Sequence, residues 1–195
     1  IFLDYLGRIE SHIRASIETK RLILENRQLL ESIKKVTEEV VRVYQNNGKV
    51  IIAGNGGSAA DSQHIAAEFV SRFNFDRPGL PAIALTTDSS MLTAIGNDYG
   101  FEKLFRRQLE AMGNKGDIFI GISTSGNSAN VLEAIEAARE KGVTTVALCG
   151  STGRLGSLCD YAIEVPSDST PFIQESHIMI GHIICGLVEL ELFGK

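Results

Sequence analysis

Short apolar runs alternate with helical stretches along most of this chain, and that alternation leaves few folds open to it. Val50-Ile51-Ile52-Ala53 and Ile118-Phe119-Ile120-Gly121-Ile122 are apolar throughout. Pro81–Leu85, Val143–Cys149 and Tyr161–Val165 read as three further strands. Strands with no polar alternation are buried on both faces, which is the mark of a parallel sheet covered by helices. Helical stretches follow at 59–73, 99–112 and 130–141, with a polar stretch, Thr86 to Ser90, opening another helix. A long, mostly apolar helix runs from Ile173 to Phe193. Ahead of the first strand, Ile23, Leu29, Leu30, Ile33, Val36, Val40, Val41 and Val43 recur mainly at helical spacing, which predicts two helices between Asp4 and Asn47, stopped at Gly48. The expected fold is α/β, in three α/β/α layers around a five-stranded parallel sheet. An N-terminal helical arm, 1–48, forms one compact unit with the domain at 49–195.

Composition narrows the function classes. A chain of 195 residues can bury a full core. Its net charge of -5 disfavours broad nucleic-acid binding but leaves local phosphate capture open. Cys149, Cys159 and Cys185 are widely spaced and odd in number, which fits a reduced cytoplasm better than a disulfide framework or a thiolate zinc site. No apolar run is expected to span a membrane. The chain opens Ile1-Phe2-Leu3-Asp4, with an acid too early for a signal peptide and without Met, so a few residues are expected to precede it.

Ligands of parallel sheets sit beyond the carboxyl ends of the strands, where two loops fall. Gly54-Asn55-Gly56-Gly57-Ser58 follows the first strand. It is a weak match to a dinucleotide fingerprint, and Asp88 comes too late to be the ribose acid, so no nucleotide cofactor is expected. Its backbone donors suit sugar hydroxyls instead. Ser123-Thr124-Ser125-Gly126-Asn127-Ser128 joins the third strand to a helix, with four hydroxyl residues in six positions. A helix N-terminus attracts anions, and one serine would suffice for capping, so phosphate is the favoured ligand. His64 and Glu68, four apart, share a helix face, where imidazole and carboxylate suit proton transfer or a metal. Gln174, His177 and His182 interrupt the apolar last helix, where polar groups need partners.

Taken together, Ala53 to His64, Ala94-Ile95-Gly96-Asn97-Asp98-Tyr99, Ser123 to Ser128, and Ile173 to His177 through Gly181-His182 resemble, in order, the signatures of the phosphoheptose isomerases. That family lies in the sugar isomerase (SIS) superfamily, whose fold is flavodoxin-like. The resemblance spans nearly the whole chain. It implies conversion of sedoheptulose 7-phosphate to D-glycero-D-manno-heptose 7-phosphate, towards lipopolysaccharide, capsule or other surface glycans. It implies a cytoplasmic homotetramer with active sites at subunit interfaces, and neither nucleic acid nor membrane as a partner. The implied substrate contacts are Asn55, Gly56, Gly57, Asn97, Asp98, Ser123, Thr124, Ser125, Ser128 and Gln174. The implied acid/base pair is Glu68 and His182, and the implied zinc ligands are His64, Glu68, Gln174 and His182. A relative on the same fold works by protein binding, so a non-catalytic scaffold for a replication-initiator or regulatory protein is the alternative.

The chemistry is consistent with those residues. Ketose–aldose interconversion passes through an enediol and needs a base at carbon, a shuttle for hydroxyl protons and stabilisation of the oxyanion. Zinc ligation and base catalysis compete for the one Glu68 carboxylate. Gln174 and His182 stand about 12 Å apart along their helix and roughly 80° apart around it. A site completed by a neighbouring subunit is therefore expected, with His182 meeting Glu68 of another chain and the apolar terminal helices forming the interface.

Overall fold

The structure, a computed structural model, describes residues 3–194; Ile1, Phe2 and Lys195 lie outside the described residues. Two helices come first, α1 (Tyr5–Glu25) and α2 (Arg27–Gln45). Asp4 caps α1 by accepting from Gly7 N, and Asn26 both ends α1 and caps α2 by accepting from Leu29 N. Then follow β1 (Val50–Gly54), α3 (Gly57–Val70), β2 (Ala82–Ala84), α4 (Ser89–Tyr99), a 3-10 turn (Phe101–Lys103) and α5 (Leu104–Met112). The chain closes with β3 (Ile118–Ser123), α6 (Ala129–Glu140), β4 (Thr144–Gly150), α7 (Leu155–Leu158), β5 (Tyr161–Val165) and α8 (Thr170–Phe193).

All five strands are parallel, in the order β2-β1-β3-β4-β5. Side-chain alternation along each strand divides the core into two layers. Ile52, Ile120, Leu148 and Ile163 face α2, α3 and α8, whereas Ile51, Phe119 and Ala147 face α5, α6 and α7. The fold is thus the expected three-layer α/β/α arrangement. Helix α2 contributes Leu29, Ile33, Val36, Val40 and Val43 to the core, but α1 buries only Thr19 and Ile23. Ser16 and Lys20 of α1 are tied to Glu175 of α8.

Three local expectations change. The helix read at 99–112 is broken, because Gly100 takes φ 91° and separates α4 from the 3-10 turn and α5. The turn after α2 takes its left-handed residue at Asn47 (φ 60°), not at Gly48. Gly48 is instead needed for close approach, since a Cβ there would lie 2.5 Å from Gly116 O. Finally, α8 is long and apolar enough by length and composition to cross a membrane, contrary to the reading of the sequence. Its apolarity is explained by packing, since Ile173, Ile180, Ile184 and Val188 lie in the core.

Candidate active site

The strand order reverses between β1 and β3, which opens the crevice where such sheets bind ligands. The glycine loop leaves β1 there and the serine loop leaves β3. A reciprocal amide pair joins them: Asn55 Nδ2 donates to Asn130 Oδ1 and Asn130 Nδ2 to Asn55 Oδ1, both at 2.8 Å. Asn130 is buried, and nothing in the sequence marks it, because it falls in an ordinary helical stretch.

The serine loop is built around its own bonds. Ser123 Oγ and Ser128 Oγ lie 2.8 Å apart, and Asn127 N donates to Ser125 Oγ at 3.2 Å. Ser128 occupies the N-cap position of α6 but makes no side-chain capping bond. Simple capping therefore does not account for the hydroxyls, and the positive end of α6 is left for an anion. Thr124 meets the end of β4 through its carbonyl, which accepts from Gly150 N at 3.2 Å.

At the glycine loop, Gly56 takes φ 56°, and a Cβ there would meet nothing within 4 Å, so the loop presents open backbone. Gly57 is crowded instead: a Cβ would come within 2.6 Å of Gln174 Nε2. Gln174 thus lies over the start of α3, beside the crevice.

Further along α3, His64 Nε2 lies 3.1 Å from Glu68 Oε1 and 3.4 Å from His182 Nε2. The three ligand atoms all fall within 4.8 Å of one another. Zinc–nitrogen bonds of ~2.0–2.1 Å put two tetrahedral ligands roughly 3.3 Å apart, so the His64–His182 spacing fits one divalent ion. The expectation that His182 meets Glu68 of another chain is corrected here. Helices α3 and α8 run side by side, with Gly57 against Gln174 and Ile65 against Gly181, so one chain brings the residues together. Gln174 lies earlier along the same packed pair of helices. Gly57, which it touches, precedes His64 by about 10 Å of helix.

Asn97 and Asp98 lie exposed at the end of α4, where Asn97 Nδ2 donates to Asp98 Oδ1 at 2.8 Å. Among the described residues neither hydrogen-bonds to the cluster. Asp61, one turn before His64, has a buried Oδ2 without a partner, and burial raises its carboxyl above the ordinary range despite nearby His64 and His182.

His177 belongs to the core. It is fully buried, neither ring nitrogen has a partner, and burial pushes its imidazole down to about 4. A histidine depressed in the folded state gives stability that is complete above its ordinary value and is lost as pH falls through the folded one. Between pH 7 and pH 4 this group is expected to remove roughly 3 kcal/mol of stability. Urea titrations at pH 7, 5.5 and 4 should show that loss in the parent and not in His177→Leu. Equal losses would refute the assignment.

Comparisons with known proteins bear on the family and the fold. The SIS domain family model matches residues 15–150. A curated relative from Aneurinibacillus thermoaerophilus, named phosphoheptose isomerase, is 62% identical over 186 residues, covering 95% of this chain and 94% of its own. The solved phosphoheptose isomerase of Francisella tularensis superposes with TM-score 0.91 at 38% identity, covering 95% of this chain and 98% of its own. That of Neisseria gonorrhoeae superposes with TM-score 0.88 at 42% identity, over 94% and 98%.

Proposed function

The chain belongs to the phosphoheptose isomerase family of SIS-domain proteins, and we propose that Glu68 and His182 are the acid/base pair of its reaction. The reaction converts sedoheptulose 7-phosphate to D-glycero-D-manno-heptose 7-phosphate in heptose biosynthesis. The observation that carries the proposal is the approach of Glu68, His64 and His182 within 4.8 Å of one another, on the helix that the glycine loop opens and the helix packed beside it.

The steps follow from the residue chemistry. The serine loop, Ser123 to Ser128, holds the phosphate through hydroxyls and the α6 terminus. Gly56 and Gly57 offer backbone to sugar hydroxyls, and Asn55, Asn97, Asp98 and Gln174 complete the polar contacts. The Glu68 carboxylate removes a proton from C1 of the ketose, giving the enediol, and returns one to C2. His182 carries the proton that leaves the C1 hydroxyl to the oxygen at C2. No atom is gained or lost overall. A non-catalytic scaffold would not need Glu68 and His182 within reach of one another.

His64, Glu68 and His182 would hold a zinc ion, with Gln174 as the fourth ligand that the family resemblance implies. When bound, the ion polarises carbonyl and hydroxyl oxygens of the sugar. Elemental analysis of protein purified without chelator is expected to find about one zinc per chain, as one three-ligand cluster requires. His64→Ala is expected to lose it. Retention of full zinc in His64→Ala would move the ion elsewhere.

Assembly is proposed on the same footing. Leu6, Ile9, Ile13 and Ile17 make an exposed apolar stripe on α1, and Ile183, Leu187 and Leu190 another on α8. Such stripes favour burial in a homotetramer. His182 borders a shallow hollow with Phe73, Ile183, Gly186 and Leu187, so a second copy seated there would wall the active site. We place the enzyme in the cytoplasm, with its product destined for lipopolysaccharide, capsule or another surface glycan. The direct test of function is product NMR after incubation with sedoheptulose 7-phosphate. Appearance of the aldose 7-phosphate is expected, and an unchanged substrate would refute the reading.

A further inference from the structure

A buried ion pair behind the active site joins the end of α3 to α8. Arg77, in the segment after α3, and Glu189, two turns beyond His182 on α8, are almost completely enclosed, with side-chain exposures of 2% and 0%. Arg77 Nε donates to Glu189 Oε1 at 3.1 Å. The rest of the guanidinium is spent on backbone carbonyls: Nη2 donates to Glu68 O at 2.8 Å and Nη1 to Phe69 O at 2.6 Å. Nη1 also reaches Ser71 O and Pro78 O at 3.2 and 3.1 Å. Glu189 accepts from Phe73 N at 2.8 Å and from Asn74 N at 2.6 Å. The pair thus satisfies the orphan carbonyls at the carboxyl end of α3 and the free amides of the turn that follows.

Both ends of this unit touch the catalytic cluster. Arg77 grips the carbonyl of Glu68 itself. Phe73, held by its amide to Glu189, sets its ring 5.4 Å from the His182 ring, tilted by 37°. That ring packs on Gly186, where a Cβ would lie 3.2 Å from Phe73 Cε1. Glycine at 186 therefore lets Phe73 approach α8 one turn beyond His182.

Stability alone is a poor reason for such a pair. Burying two charges costs about as much as their attraction returns, and well-packed apolar replacements are often neutral or better. A fork of fixed donors is, however, suited to holding several acceptors in one geometry. Catalytic groups lose much of their effect when displaced by about 1 Å. We propose that Arg77 and Glu189 are positioning residues, which set the Glu68 carboxylate and, through Phe73, the His182 imidazole at their working separation. This rests on the assignment of Glu68 and His182 as the acid/base pair.

The test uses the full chain with sedoheptulose 7-phosphate. Removing one charge alone strands the other and risks unfolding, so the first variant is the double replacement Arg77→Met with Glu189→Gln. It is expected to fold, with kcat lowered on the order of 10-fold or more and KM within about threefold, the pattern of a lost transition-state alignment. Arg77→Lys keeps the charge without the fork and should fall between parent and double variant. Phe73→Leu leaves the ion pair intact and should also lower kcat with little change in KM. Wild-type kcat in the folded double variant overturns the proposal. If that variant does not fold, wild-type kcat in Phe73→Leu overturns it. Glu68→Gln is measured alongside. If Glu68→Gln stays active, the acid/base assignment has failed; if it is inactive while the positioning variants are normal, only the role of Arg77 and Glu189 has failed.

Discussion

Glu68→Gln is expected to fold as the parent does and to lose turnover on the order of 10²–10⁴-fold, the usual cost of a lost general base. The replacement keeps size and shape and can still hydrogen-bond to His64, which lies 3.1 Å from the native carboxylate. It removes the carboxylate's capacity to take a proton from carbon, and zinc content measured alongside separates that loss from a loss of the proposed ion. Binding through the serine loop should survive, so the loss belongs in kcat, with KM little changed. Steady-state kinetics with sedoheptulose 7-phosphate checks this, and activity within a few-fold of the parent would remove Glu68 as the base.

Gly126→Ala is expected to lower kcat/KM on the order of 10²-fold, by displacing the phosphate loop about 1 Å or more. Two constraints coincide at this residue. Its φ of 63° disfavours any side chain, and a Cβ would collide with the carbonyl oxygen of Thr152. Backbone cannot yield as a flexible side chain would. The loop is also stitched to the segment after β4, because Gly126 O accepts from Arg154 N at 3.1 Å and from Leu155 N at 3.0 Å. Relief of the collision must therefore move Ser125 and Asn127. Calorimetric titration with inorganic phosphate should show weakened binding, and parental kcat/KM would mean that the phosphate sits elsewhere.

Much of the architecture was legible because buried parallel strands leave a strong mark. Val50–Ala53 and Ile118–Ile122 carry no polar residue, and β1 and β3 occupy those positions with every residue buried. The break at Gly100 was not legible, because its positive φ and the short 3-10 turn that follows it leave no mark in the apolar periodicity. Helix α7, four residues long, leaves no periodic signal. The pairing of His64 with Glu68 could be read from spacing alone, since four residues make neighbours on a helix. The arrival of His182 could not, because it depends on α3 packing beside α8 across 118 residues of sequence. Arithmetic along α8 alone pointed His182 to Glu68 of another chain, because it takes no account of α3, which runs alongside α8 and meets Gln174 and His182 in turn. Arg77 and Glu189 were hidden for a different reason. One sits in a loop with Pro78 and Gly79, the other in an apolar helix, and they pair across 112 residues of sequence.

The most direct measurement of the central claim is deuterium exchange by NMR. The ketose phosphate is incubated in heavy water with the parent enzyme and, separately, with Glu68→Gln at concentrations that saturate binding. Proton abstraction by Glu68 predicts that the parent washes deuterium into the carbon positions that interconvert, while Glu68→Gln binds the sugar and leaves its carbon-bound protons in place. Exchange by Glu68→Gln at the parental rate would contradict the account.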